Sequence, residues 1–297
     1  MGTKLSSLAW VFPEGAEHAS PLPIGVTNVV IFLATCPLSL VLLFAIYSDK
    51  KLWKLPAYQL IFHMTIASVL STISTFLLGL IALLDRALAF HPCIVAIGAL
   101  IAYYGPTFLC LLSATQAFNR FVVLIGCRSF TKPRIYKVLI TAVWAFMTAC
   151  AVAMLSTGTV FSYTQQDYLY YYDYEEPGHS ILFFISIVAI VGGASLFFLS
   201  IGSVVLQRGK TQTRDIHLLV QGVIPFVYLA LIRTLTRFPI PNRSAKLIFF
   251  MSLAFRSMPA VYLLVYLALN RILRQAMIRL VVQKKISSIP ALSLGSR

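Results

Sequence analysis

The chain has 297 residues, 59% of them hydrophobic and only 11% charged, with a mean hydropathy of +0.86; soluble domains run at about 45–50% apolar and 25% charged. That balance excludes a water-soluble globular domain and describes a polytopic membrane protein. The formal net charge of +15 is a topology signal facing anionic lipid and calls for no nucleic-acid partner.

Residues 1–23 hold only the short apolar patch LAWVF and no small-residue cleavage site. They are expected to be an extracellular N-terminal segment, with the first span serving as an uncleaved signal anchor. MGTKLS fits the myristoylation pattern, but that modification needs a cytosolic N-terminus, so it is read as a chance match. A bilayer core takes about 20 apolar residues per helix. Runs of that kind fall at about 24–47, 57–84, 93–117, 136–160, 181–206, 216–236 and 247–270. None alternates with the period of a barrel strand, so residues 24–270 are read as seven transmembrane helices. Residues 271–297 follow as a cytoplasmic amphipathic helix and tail.

Charge orients the bundle. Seventeen of the 24 Lys and Arg lie on one side: Lys50, Lys51 and Lys54 in the first loop, Arg120, Arg128, Lys132, Arg134 and Lys137 around the third, Arg208, Lys210 and Arg214 in the fifth, and six in the tail. That side is cytosolic by the positive-inside rule, and an odd number of spans puts the N-terminus outside. Within the tail, Leu269, Ile272, Leu273, Met277, Leu280 and Val281 recur at helical spacing between Arg271, Arg274, Arg279, Lys284 and Lys285. This is the pattern of a basic helix lying on anionic inner-leaflet lipid.

Catalysis finds no support in the motifs. Of Cys36, Cys93, Cys110, Cys127 and Cys150, only Cys93 faces the outer side, and no Cys/His group has metal-ligand spacing. Phosphate-loop, GxSxG and HExxH signatures are absent, so neither an enzyme nor a cofactor is expected. The fourth loop, FSYTQQDYLYYYDYEEPGHS, combines six Tyr with four acids. It reads either as an interfacial aromatic belt with a solvated acidic rim or as a lid over a ligand cavity. One sequon, Asn242-Arg243-Ser244, makes Asn242 a candidate glycosylation site close to the membrane.

The third span closes in AFNRF, with Asn119 and Arg120 leading into a basic loop. Taken alone, Arg120 is an ordinary snorkelling anchor. Seven helices, an outside N-terminus and an Arg at that position together resemble the G-protein-coupled receptor superfamily, whose third helix closes with Asp/Glu-Arg-Tyr. Pro259 and Tyr262 keep the spacing of the receptor motif Asn-Pro-x-x-Tyr, with Met258 where Asn stands in the family. Pro225 in the sixth span breaks the local hydrogen-bond ladder and permits a kink. The resemblance implies that Arg120 engages a heterotrimeric G protein while the sixth helix pivots near Pro225. With Asn119 in place of the acid, some other contact must hold the resting state. The chain departs from the rhodopsin class in having no Asp in the second span, no Cys in the fourth loop and no Trp before Pro225. The AFNRF ending, short loops and length are similar to the nematode serpentine chemoreceptors of the gamma superfamily. That implies a plasma-membrane sensory receptor of neuronal cilia; vertebrate bitter-taste receptors share the length without their fuller motifs appearing here.

Asp and Glu keep to loops and span margins, whereas Arg256 sits about nine residues into the seventh span, roughly 14 Å below the outer surface. A charge at such depth costs at least roughly 2.5–3.5 kcal/mol and should face the bundle interior. Tyr103 and Tyr104 in the third span lie at similar depth, and Arg233 near the outer end of the sixth span could lean into the same cavity. One reading is a small-molecule site, with Arg256 taking an anionic ligand; the other is a structural network of Arg256 with hydroxyls, carbonyls and water. His63 and Gln221 read as interhelical hydrogen-bond partners. The competing class is a transporter or channel for a small, possibly anionic solute, against which stand the missing internal repeat and the odd number of spans.

Overall fold

The computed structural model describes residues 21–84, 92–156, 162–164, 169–171, 177–206, 213–235 and 245–287. The long helices are α1 (Pro21–Ser48), α3 (Pro56–Leu83), α4 (Pro92–Leu124), α5 (Pro133–Ser156), α6 (Pro177–Leu206) and α7 (Thr213–Leu235), with the four-residue α2 (Lys50–Trp53) between the first two. The last span is a pair, α8 (Ala245–Arg256) and α9 (Met258–Leu269), followed by α10 (Arg271–Ser287). Among the described residues, six helices are individually long and apolar enough to cross a membrane, and the bent α8–α9 pair taken as one span makes a seventh.

Proline marks how these helices begin. Pro56 occupies the first turn of α3, where its missing N–H costs nothing. Asp49 caps α2, its carboxylate accepting from the backbone N–H groups of Lys51 (2.9 Å) and Leu52 (3.3 Å). Gly126, at φ +72°, ends the stretch after α4 in a conformation that disfavours a Cβ. In the fourth loop, the Tyr- and Thr-containing strands β1 (Ser162–Thr164) and β2 (Leu169–Tyr171) pair antiparallel with Tyr163 opposite Tyr170. Such residues favour extended backbone.

Apolar side chains fill the core, among them Leu42, Ile46, Ile61, Met64, Leu109 and Leu112, and also cover the outside. Leu22, Phe44, Phe184, Phe198 and Leu206 are exposed, while Asn28, Gln116, Ser186 and Gln221 are buried. Polar groups turn inward because lipid offers them no hydrogen bonds. The α4 helix is the hub, touching α3, α5, α6 and α7. Small residues let neighbours close in: a Cβ on Gly79 would come within 2.9 Å of the Asn28 Cβ on α1, and one on Gly105 would meet Ser71 Oγ of α3 at 2.2 Å.

Two features differ from the sequence reading. The third helix continues to Leu124, so Asn119 and Arg120 lie inside it. The last span is bent by 46° at Ser257. Pro259 has no N–H, which deprives the Phe255 carbonyl of its helical donor. By contrast, α7 runs unbroken through Pro225.

Candidate functional site

Among the described residues, two polar clusters gather along α4, one at the basic end and one about halfway along it. At the basic end, Gln116, Asn119 and Arg120 share one face of α4 by their spacing of three and four. Asn119 is 3% and Arg120 4% exposed. Tyr136 of α5 lies beside Asn119 and within electrostatic reach of Arg120. From α9, the Tyr266 hydroxyl sits among Met64 Sδ (3.5 Å), Gln116 and Arg120. One helical turn further in along α4, Ser113 Oγ and Tyr262 Oη are 2.9 Å apart. Tyr262 thus ties the α9 half of the broken span to the hub.

The α9–α10 junction sits in the same region. Asn270 Nδ2 donates to Gln221 Oε1 of α7 at 3.3 Å, while its Oδ1 accepts from the Leu273 N–H at 3.1 Å and caps α10. Arg274 donates to the terminal carbonyls of α9, Leu267 (2.6 Å) and Ala268. Gln221 stands four residues before Pro225, so its carbonyl also loses the donor that proline lacks. Arg279 of α10 lies 4.0 Å from Asp49 in the first basic loop. The interhelical roles expected of His63 and Gln221 are both present, Trp144 Nε1 donating to His63 Nδ1 at 3.1 Å.

The second cluster centres on Arg233, 5% exposed. Its Nη2 donates to Thr107 Oγ1 of α4 at 3.1 Å and reaches Ser186 Oγ of α6 at 3.5 Å. Those two hydroxyls are 3.0 Å apart, and Ser186 donates back to the Leu182 carbonyl at 2.9 Å. Thr107 is thirteen residues from Arg120, roughly 20 Å along α4. The twelve residues from Gln221 to Arg233 span a similar length, so Arg233 is level with the middle of α4, deeper than its place in the apolar run suggests. Tyr104, also buried, is one turn outward of Thr107, and Cys110 lies one turn inward within the field of Arg233.

Arg256, likewise 5% exposed, donates through Nη1 to Asn28 Oδ1 of α1 at 2.9 Å. The hydrogen bonds therefore place Arg233 on the α4–α6 side and Arg256 on the α1 side, rather than both on one group. Tyr103 belongs to α4, but its side chain, like Asn242, lies outside the described residues.

Between the clusters a contact missed by sequence reasoning joins α7 to the break in the last span. Tyr228 Oη donates to the Ala254 carbonyl at 2.6 Å and lies 2.8 Å from Ser257 Oγ, which is 3.0 Å from the same carbonyl. A Tyr one turn beyond Pro225 and a Ser two residues before Pro259 were the available signals. Neither identifies the other.

Together these features define a seven-helix membrane bundle with buried cations at two levels. No known family profile matches the chain, and no curated protein matches it in sequence. Among solved structures it is similar to the crystal structure of squid rhodopsin, with a TM-score of 0.71 over 94% of this chain and 93% of that one at 11% identity. The fold is that of the rhodopsin-type seven-helix receptors.

Proposed function

We propose that the protein is a G-protein-coupled receptor of the chemosensory kind, which binds a small external ligand, anionic in class, in the outer half of the bundle. The carrying observation is that one set of helices has both polar clusters. Helix α4 holds Thr107 against Arg233 and, roughly 20 Å away, Arg120 against the Tyr266 side of α9. Helix α7 holds Arg233, Tyr228 and Gln221 in one unbroken rod, with Pro225 between the last two. A shift of α7 at Arg233 is thereby felt at Gln221, where the rod is tied to Asn270.

In this reading Arg233 and Arg256 supply the positive field for the ligand, with Tyr103 and Tyr104 offering hydroxyls and aromatic faces. Asn119, Arg120, Pro225, Pro259 and Tyr262 belong to the switch. The Gln221–Asn270 bond is the contact that holds the resting state in place of an acid–Arg pair. Ligand favours the conformation in which α7 leaves Asn270 and Arg120 becomes accessible to a Gα subunit. A plasma-membrane site, in sensory neuron cilia, follows from the chemoreceptor reading.

The test is a panel of small carboxylates, phosphates, amines and neutral odorants applied to cells expressing the chain with a set of Gα subunits. Anions are expected to elicit the response, with potency lost in Arg233→Met and reduced in Arg256→Lys and Arg256→Ala. Unchanged potency in all three variants would remove both arginines from the ligand site.

A further inference from the structure

A groove of about 480 Å³ opens toward the lipid between α4, α5 and α6. Its α4 wall is Leu111, Ala114 and Phe118; Leu139 and Val143 face them from α5, and Val188 from α6. Its size falls within the range of about 300–1,000 Å³ typical of small-molecule sites. The hydroxyl present in the wall, that of Thr115, already donates to the Leu111 carbonyl at 2.9 Å. The walls therefore suit hydrocarbon and discriminate against a polar molecule.

Depth and charge narrow the occupant. Leu111 to Phe118 lie two to nine residues outward of Arg120, roughly 3–14 Å along α4, so the groove belongs to the basic half of the membrane. At its lower rim, Phe118 meets the ring of Phe130 edge-on with centroids 6.1 Å apart. Phe130 ends the turn Arg128–Phe130, and the exposed Lys132 and Arg134 follow directly at the foot of α5. A basic loop on the inner surface attracts anionic headgroups.

We infer that this groove is a saturable site for an anionic inner-leaflet phospholipid, whose acyl chain fills the α4–α5–α6 groove while its headgroup lies against Lys132 and Arg134. The site stands apart from both polar clusters and does not depend on the receptor reading. Its α6 wall nonetheless flanks Ser186, so the occupant bears on the element that meets Arg233.

The experiment uses the full chain in lipid nanodiscs containing a trace of phosphatidylserine with a photoactivatable group near the end of one acyl chain. Labelled peptides are mapped by mass spectrometry. Label is expected to concentrate on segments 111–118, 139–143 and 184–189, to saturate, and to be displaced by unlabelled phosphatidylserine far better than by phosphatidylcholine. Lys132→Ala and Arg134→Ala should each weaken the anionic preference by about fivefold, the loss expected for one cation at an anionic surface. Val143→Trp, which fills the groove, should abolish labelling there with the melting temperature retained. Should that variant not fold, the wild-type competition decides alone. Label spread over the lipid-facing helices in proportion to their exposure, or equal displacement by the neutral lipid, overturns the proposal.

Discussion

Gln221→Met keeps the length of the side chain and removes the amide that Asn270 Nδ2 reaches at 3.3 Å. Asn270 retains its bond from the Leu273 N–H, so α10 stays capped and the change is confined to the α7–α9 junction. Interhelical hydrogen bonds in membranes are worth about 0.6 kcal/mol on average and about 1.7 at most. If the bond exists in the resting conformation and is broken when α7 moves out, its loss raises the ratio of open to resting states roughly threefold, and at most about 16-fold. Spin labels on Val138 at the foot of α5 and Ile216 at the foot of α7, both exposed, report this separation by double electron–electron resonance in nanodiscs. The longer-distance population should grow by that factor in Gln221→Met. Asn270→Ala should show the same growth with α10 loosened as well, since loss of an N-cap costs about 0.5–2 kcal/mol. A distribution identical to wild type in both variants would refute the assignment of this bond as the resting-state contact.

Three further outcomes concern the packing that positions the clusters. Tyr228→Phe should lower stability by about 0.6–1.7 kcal/mol in a detergent melt, because Ser257 still reaches the Ala254 carbonyl. Adding Ser257→Ala should cost more than the sum of the single changes, up to about 3 kcal/mol, since the carbonyl is then left buried without these donors. Gly105→Ala places a methyl 2.2 Å from Ser71 Oγ, with the Ser71 Cβ at 3.4 Å, so the hydroxyl must rotate away from the Ala67 carbonyl that it meets at 3.0 Å; the loss should be about 0.5–1.5 kcal/mol, and Gly105→Ala in a Ser71→Ala background should cost less, which a melting series will read directly. Arg233→Met leaves Thr107 and Ser186 bonded to each other at 3.0 Å. It should therefore melt within about 1 kcal/mol of wild type, since interhelical hydrogen bonds in membranes average about 0.6 kcal/mol and the change also relieves the burial of a charge.

The sequence made the spans legible because seven apolar runs of bilayer length leave little else for the chain to be. It also marked Arg256, Gln221 and His63 as polar groups that need partners inside the bundle, whereas Arg120 taken alone read as a snorkelling anchor and is in fact buried. Vertical register was harder to read. An apolar run gives a helix's length but not its height against a neighbour, so Arg233 could be read as leaning toward Tyr103 and Tyr104 of the third span but not as reaching Thr107, one turn deeper. The partner of Arg256 was hidden for a related reason: Asn28 is 228 residues away in sequence, and only the close approach of α1 to the bundle brings them together. Pro259 showed where the last span could break. That the break is held by Tyr228 from another helix is a property of the packed bundle, not of the local sequence.

The most direct test of the receptor account is GDP release from a panel of purified Gα subunits, catalysed by the chain in nanodiscs, for wild type against Arg120→Ala. The account predicts that wild type accelerates release from at least one Gα, that Gln221→Met accelerates it further, and that Arg120→Ala abolishes the effect while retaining the melting temperature. No acceleration from any Gα by wild type or Gln221→Met, together with saturable uptake of a small anion into proteoliposomes, would contradict it and make the protein a transporter.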